Sequence, residues 1–404
     1  MAKINKLAYG EQNVQDYNIR TAVEEASRCL LCEDSPCSKA CPALTDPGKF
    51  IRSIRFKNIK GAAEVIRSNN ILGASCALIC PHENLCEKAC SRTEIDKPIN
   101  IGKLQKFAMD QEKMFNLKVL KAPEKKREEK IACIGSGPAS LACAAKLAIE
   151  GYQVTIFEEK EKLGGMLTYG ITPSRLPQEV VDQDINCLKE LGVEFRTSEH
   201  IAPEDIKKLK SEYKAIFIGV GLAKSKDIKI EGHDLEGVEN ALSFLANARS
   251  FNGKVKVGNN VVVIGLGDVA LDCATTARQL SQGKVSIVYR RSIEESPAHS
   301  AELTYTQGMG IPIYTEFAPE AILGEDNKAM ALVCKSRDGY SEMKLKADHI
   351  IFAIGQEPYE EYKNYTLEDG LFAAGDFVNG GKTAVEAVAE GKDSAEKIIS
   401  YLNK

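Results

Sequence analysis

Residues 130–159, KIACIGSGPASLACAAKLAIEGYQVTIFEE, carry the pattern that decides the fold. An apolar run, a Gly-rich turn, a helix-period segment and a second apolar run follow without interruption, which is a βαβ unit. Gly135 permits the tight turn, Gly137 lets the backbone approach a pyrophosphate, and Ser140 stands where a small residue lets helix and strand pack closely. Glu158 ends the second strand 21 residues after Gly137, where a carboxylate accepts hydrogen bonds from an adenosine ribose. A glycine turn alone is weak evidence, but strand, helix and acid in register point to nucleotide binding.

Residues 260–291, NVVVIGLGDVALDCATTARQLSQGKVSIVYRR, repeat the pattern, with Gly265, Gly267 and Ala270 in the same roles. Here the second strand ends in Arg290 and Arg291, which could pair with a 2′-phosphate and favour NADPH over NADH. Two nucleotide units in one chain suit a flavoprotein that holds FAD in one and a nicotinamide cofactor in the other. Gly375-Asp376, after LFAA, fits an Asp that holds ribityl hydroxyls, and a helix starting near Thr383 offers amides to a reduced flavin. Without the two units before them, these residues read equally well as a loop and an N-cap.

Upstream of Lys130 the chain reads as helices. AVEEASRCLL, PGKFIRSIRFKNIKGAAEVIRS and IGKLQKFAMDQEKMF space their apolar residues by three and four, and APEKKREEK (122–130) is a charged linker. The 404 residues carry a net charge of -4 with no sustained Lys/Arg stripe, which disfavours a nucleic-acid role. No apolar run approaches a membrane span and the N-terminus lacks an apolar signal region, so a cytoplasmic protein is expected.

Thirteen cysteines suggest metal before disulfides in that compartment. Cys133, Cys143, Cys187, Cys273 and Cys334 are scattered through apolar stretches and read as core residues. The other eight form two runs, Cys29-x2-Cys32-x4-Cys37-x3-Cys41-Pro42 and Cys76-x3-Cys80-Pro81-x4-Cys86-x3-Cys90. Such spacings with Cys-Pro endings favour iron–sulfur clusters, in which one run can lend a ligand to the other cluster. Structural zinc is the alternative, yet zinc sites prefer paired knuckles often closed by His, and His82 is the only His nearby.

The segments SRCLLCEDSPCSKACP, GAAEVIRSNN, CALICPHENLCEKAC, PINIGKLQKFA, GSGPAS, LGGM, SRLP, GLGDVALDCAT, AIGQEP and AAGDFVNGGKTAVEAV resemble the N-terminal half of dihydropyrimidine dehydrogenase over nearly the whole chain. A separate chain of this length is similar to the small, nicotinamide-oxidising subunit of the bacterial enzyme, and the glutamate synthase small subunit is its close relative. The resemblance implies one [4Fe-4S] cluster on Cys29, Cys32, Cys37 and Cys90, and a second on Cys41, Cys80, Cys86 and Gln105, with Cys76 a non-ligand. It implies FAD contacts at Gly135, Ser136, Gly137, Pro138, Ala139, Glu158, Gly164, Gly165, Arg175, Gly375, Asp376 and Thr383. For NADPH or NADH it implies Gly265, Leu266, Gly267, Asp268, Arg290, Arg291 and the turn Ala353, Ile354, Gly355. The pyrimidine enzymes that use NADPH add another Arg after the basic pair, and IEESPAHSAE offers none.

The fold class expected is α/β: an all-helical iron–sulfur domain (1–122), then an FAD domain (123–224 and 357–404) into which a NAD(P)H domain (225–356) is inserted, both Rossmann-like. The family's pyrimidine-reducing FMN half has no counterpart here. An FMN-containing partner with ferredoxin-type clusters, in a hetero-oligomer, is therefore implied, and hydride transfer runs from cofactor to cofactor without a catalytic side chain. Two other readings stand beside this one: electron input to glutamate synthase or another reductase, and a zinc-ordered module that senses redox state.

Overall fold

The computed structural model describes residues 8–11, 16–362 and 367–404. The chain divides into two units, and the smaller comprises Tyr169–Arg175 and Ala223–Glu357 together with residues 8–11. The larger holds Leu176–Leu222 and the flanking stretches up to Thr168 and from Pro358 onward.

The larger unit begins with helices and, among the described residues, has no strand before Lys130. Local chemistry sets the helix ends. Asn18 caps Ile19–Ser27 by accepting from the amides of Arg20 and Thr21, and Asp46 with Pro47 starts Pro47–Arg55. Lys57, at φ 58°, turns the chain before Asn58 caps Ile59–Asn69. The apolar faces meet in one core of Phe50, Ile51, Ile54, Ile66, Leu104 and Phe107, each at most 3% exposed. Burial of each such side chain stabilises the fold by about 1.5–3 kcal/mol.

The first βαβ unit forms as the sequence predicts, with strands Lys130–Ile134 and Gln153–Glu158 flanking helix Pro138–Ile149. The sheet is parallel throughout, in the order Leu371–Ala373, Ala215–Ile218, Lys130–Ile134, Gln153–Glu158, Glu194–Thr197. Ile131 to Ile134 are buried without alternation, as expected of a parallel strand covered on both faces. Five sequence-distant strands thus converge so that the Gly-rich turn opens at the carboxyl edge of the sheet.

The smaller unit has its own parallel sheet, ordered Val238–Asn240, His349–Phe352, Asn260–Ile264, Lys284–Tyr289, Ile313–Thr315. The apolar run AMALVCK (329–335) reads as a strand in the sequence, and the structure makes it the middle of an antiparallel sheet, Phe317–Glu325, Lys328–Ser336 and Glu342–Lys346, whose pairing the sequence does not announce. Its first hairpin turns on Asp326 and Asn327, both at positive φ (49° and 60°), the demand of a type I′ turn. That Asp-Asn pair was the readable signal for it. Among the described residues no helix is long and apolar enough to cross a membrane.

Candidate cofactor sites

In the larger unit the first glycine turn is shaped for a nucleotide. Gly135 sits at φ 88°, and a Cβ there would stand 2.6 Å from the Gly219 carbonyl oxygen. A Cβ on Gly137, by contrast, would meet nothing within 4 Å. Helix Pro138–Ile149 starts here with no side chain capping it, so its first amides remain available to phosphate. Gly165 lies over Gly137, where its Cβ would come within 3.0 Å of the Gly137 Cα, and Gly164 sits at φ 114°. Gly375, at φ 74°, approaches Ala139 equally closely. Gly135, Ser136, Gly137, Pro138, Ala139, Gly164, Gly165 and Gly375 are thereby one surface.

Ser136 knits that surface together, a role the sequence does not reveal. Its amide and hydroxyl both donate to Glu158 Oε2, at 3.0 and 2.6 Å, while its hydroxyl oxygen accepts from the Gly164 amide at 2.9 Å. Glu158 is buried at the strand end and also accepts from the Lys160 amide at 2.9 Å. Asp376 accepts from the Lys382 amide at 3.1 Å, and burial raises its carboxyl above the ordinary range. Thr383 caps Ala384–Leu402 reciprocally with Glu386. These open turns and uncapped amides fit the adenosine diphosphate portion of FAD.

Arg175 belongs to the smaller unit, whereas the other residues assigned to FAD belong to the larger. Its guanidinium is paired with Asp272 at 2.8 Å and Glu302 at 3.0 Å. Burial pushes the Asp272 carboxyl up to about 6, against the pull of Arg175.

The second glycine turn, in the smaller unit, adjoins the Ala353–Gly355 turn. A Cβ on Gly265 would collide with the Ala353 carbonyl oxygen at 2.2 Å, and Gly355 adopts φ 114°. Leu266 is buried and its carbonyl accepts from Ser296 Oγ. Ile354 packs on the core beneath. Asp268 opens helix Asp268–Leu280 and accepts from the His299 amide at 3.0 Å, with His299 Nδ1 at 2.6 Å. Arg290 and Arg291 follow strand Lys284–Tyr289 and are exposed.

The two cysteine runs come together in interleaved groups. Burial raises the Cys29 and Cys37 thiols, the latter to about 11, and the neighbouring Cys90 and Cys32, or Cys90 and Cys29, add to the effect. The Cys80 thiol is raised by its hydrogen bond with Cys76, then by burial and by Cys41 and Cys86. Cys29 therefore neighbours Cys32, Cys37 and Cys90, Cys80 neighbours Cys76, Cys41 and Cys86, and Cys86 lies near Cys37 as well. Among the described residues no three His, Cys, Asp or Glu side chains close on a single metal ion. Gln105, 7% exposed on helix Ile101–Met114, donates from Nε2 to the Gly73 carbonyl at 2.7 Å. Its amide is anchored through the nitrogen, and Oε1 is the atom that could serve as a ligand. His82 packs on Gly102, and burial holds its imidazole down near 4. All thirteen cysteines are free, with Cys133, Cys143, Cys273 and Cys334 buried in the cores as their apolar settings imply, and Cys187 partly so.

A buried ionic knot, missed by sequence reading, braces this region. Arg67 donates to both Glu112 oxygens at 2.6–3.1 Å and pairs with Asp184, while Asp184 accepts from the amides of Ala74 and Ser75 at 3.2 and 2.8 Å. Helix Gly73–Ile79, which leads into Cys80, is thus pinned by a carboxylate from helix Gln178–Glu190.

The family described as dihydropyrimidine dehydrogenase domain II, 4Fe-4S cluster, matches residues 6–117, and that of the pyridine nucleotide-disulphide oxidoreductases matches residues 129–391. The NAD-dependent dihydropyrimidine dehydrogenase subunit PreT of Escherichia coli K12 is 42% identical over 396 residues, 94% of each chain. Its Salmonella typhi homolog is 43% identical over 398 residues, 95% of each. The chain belongs to the PreT family. Like the family, it is a nicotinamide-dependent oxidoreductase subunit with an iron–sulfur domain preceding a flavoprotein fold. The iron–sulfur match displaces zinc as the reading of the cysteine runs. Among solved structures, FprA of Mycobacterium tuberculosis matches with TM-score 0.58 at 19% identity, covering 69% of this chain and 85% of that one. Thioredoxin reductase of T. acidophilum gives 0.53 at 17%, covering 69% and 100%. Both likenesses concern the fold alone.

Proposed function

We propose that the chain is the electron-input subunit of a dihydropyrimidine dehydrogenase, taking electrons from NADH and passing them through two [4Fe-4S] clusters to an FMN-containing partner. That partner reduces uracil or thymine, reversibly, to the 5,6-dihydro form. The observation that carries this reading is Gln105, buried on helix Ile101–Met114 with its amide nitrogen anchored on the carbonyl of Gly73, three residues before Cys76. Gln105 stands in PINIGKLQKFA, where the pyrimidine enzymes supply a glutamine ligand, and this supports the pyrimidine branch over glutamate synthase.

Bound FAD takes up an electron pair as hydride and releases electrons singly, and the clusters relay them. The chain's residues do the holding. Gly135 to Ala139 with Glu158, Gly164, Gly165, Gly375, Asp376 and Thr383 hold FAD; Gly265 to Asp268, Arg290, Arg291 and the Ala353–Gly355 turn hold the nicotinamide cofactor. Cys29, Cys32, Cys37 and Cys90 carry one cluster, and Cys41, Cys80, Cys86 and Gln105 the other. The domains proposed are the cluster domain 1–122, the FAD domain 123–224 with 357–404, and the NAD(P)H domain 225–356. NADH is preferred to NADPH in this proposal because the relatives are named NAD-dependent and no third Arg follows the basic pair.

The pure chain is expected to reduce a dye with NADH, and to act on uracil only with the partner present. Dihydrouracil formed by the single chain sinks the division of labour, and a large amidotransferase as the co-purifying subunit favours glutamate synthase.

A further inference from the structure

Helix Ala384–Leu402 touches two places at one level. Gly391 is so close to the first nucleotide turn that a Cβ there would stand 2.1 Å from the Ala139 carbonyl oxygen. The next residue, Lys392, turns to the cysteine side, and its ammonium donates to the carbonyls of Ala43 at 2.7 Å and Asn69 at 2.8 Å. Ala43 follows Cys41-Pro42, and Asn69 ends helix Ile59–Asn69. No carboxylate of the described residues makes an ion pair with Lys392. Burial pulls the ammonium below its ordinary range and Lys146 adds to that pull, while Cys41, Asp393 and Glu396 oppose it.

A long cation with two neutral partners, kept partly out of water, is costly to hold unless a negative charge is close. The chain places Cys41 near that cation, two residues before the Ala43 carbonyl that holds it, together with the carboxylates of Asp393 and Glu396. We propose that Lys392 is a positioning residue for electron entry into the second cluster, its cation favouring the reduced state and its two hydrogen bonds fixing the Cys41 loop beside the FAD turn. The inference rests on the cluster and flavin assignment given above. One electron is added in the step, drawn from the nicotinamide by way of the flavin. Lys392 keeps its protons and no bond to it forms or breaks. Capping of helix Ile59–Asn69 alone is the ordinary role of such a lysine, and it would leave both cluster potentials where they are.

The test uses the full chain with flavin and clusters loaded, titrated with dithionite under electron paramagnetic resonance. Lys392→Met is expected to retain iron and flavin and to lower the potential of one cluster only, disfavouring its reduction about tenfold, or about 59 mV for one electron. Lys392→Arg is expected to restore it. Unchanged potentials in an iron-replete Lys392→Met protein overturn the inference. Should the Met variant bind less iron, Lys392→Gln, which keeps a donor to the carbonyls, is compared with Lys392→Arg, and equal potentials overturn it likewise. A wild-type chain that holds zinc or no cluster fails earlier, at the proposed function.

Discussion

Removing the carboxylate of Asp184 tests whether the ionic knot braces the cysteine region. Asp184 and Arg67 are both 0% exposed at the side chain, so neither charge has water to fall back on. Asp184→Ala leaves Arg67 with Glu112 and the Ile71 carbonyl, and strips the amides of Ala74 and Ser75 of their acceptor. Breaking one side of a buried pair costs about 3–5 kcal/mol when the other charge is left unpaired; here Arg67 keeps Glu112, so the loss falls mainly on the two amides left without an acceptor, about 1–3 kcal/mol each. The same helix supplies its own control. Glu190 pairs with Lys118 at side-chain exposures of 50% and 56%, and Glu190→Gln should change stability by less than about 1 kcal/mol. Asp184→Asn, which keeps an oxygen for the amides, should fall between them. Urea unfolding followed by far-UV circular dichroism and tyrosine emission, the chain having no Trp, gives the three values. If Asp184→Ala unfolds within 1 kcal/mol of the Glu190→Gln protein, the knot is not a brace and the argument from burial is wrong.

Gly137→Val places its side chain in open space, so the apoprotein should unfold like wild type while flavin occupancy, read from the 450 nm region after reconstitution, drops severely; normal flavin content would refute the placement of the pyrophosphate on this turn. Gln105→Cys should leave flavin binding and dye reduction largely intact while shifting the potential of one cluster, because a thiolate adds the negative charge that an amide lacks. Cys76→Ala should keep the iron content of roughly eight atoms expected for two [4Fe-4S] centres. Loss of a cluster from the Cys76 variant, with Gln105→Cys silent in the redox titration, would make Cys76 the eighth ligand, a role its hydrogen bond with Cys80 makes physically reasonable.

Both nucleotide units were legible in the sequence because a Gly-rich turn is a local constraint. Gly135 and Gly265 take backbone angles that other residues resist, and Gly137 must stay bare, so the requirement is written at the positions themselves. The helical nature of the first hundred residues was legible for the same reason, since apolar spacing, Asn and Asp caps and Pro47 act within one or two turns. Short cysteine spacings likewise announced iron. What only the tertiary structure decided concerns partners far apart in the chain. Gln105 is an unremarkable helix residue until Gly73 takes its nitrogen, and Arg67 is a surface-type residue until Glu112 and Asp184 close on it. Lys392 lies more than three hundred residues from the Ala43 carbonyl that holds it. Arg175 likewise meets Asp272 and Glu302, about a hundred residues on, only in the folded smaller unit. A buried charge has no sequence period, because its position is fixed by the distant counter-charge that offsets its desolvation.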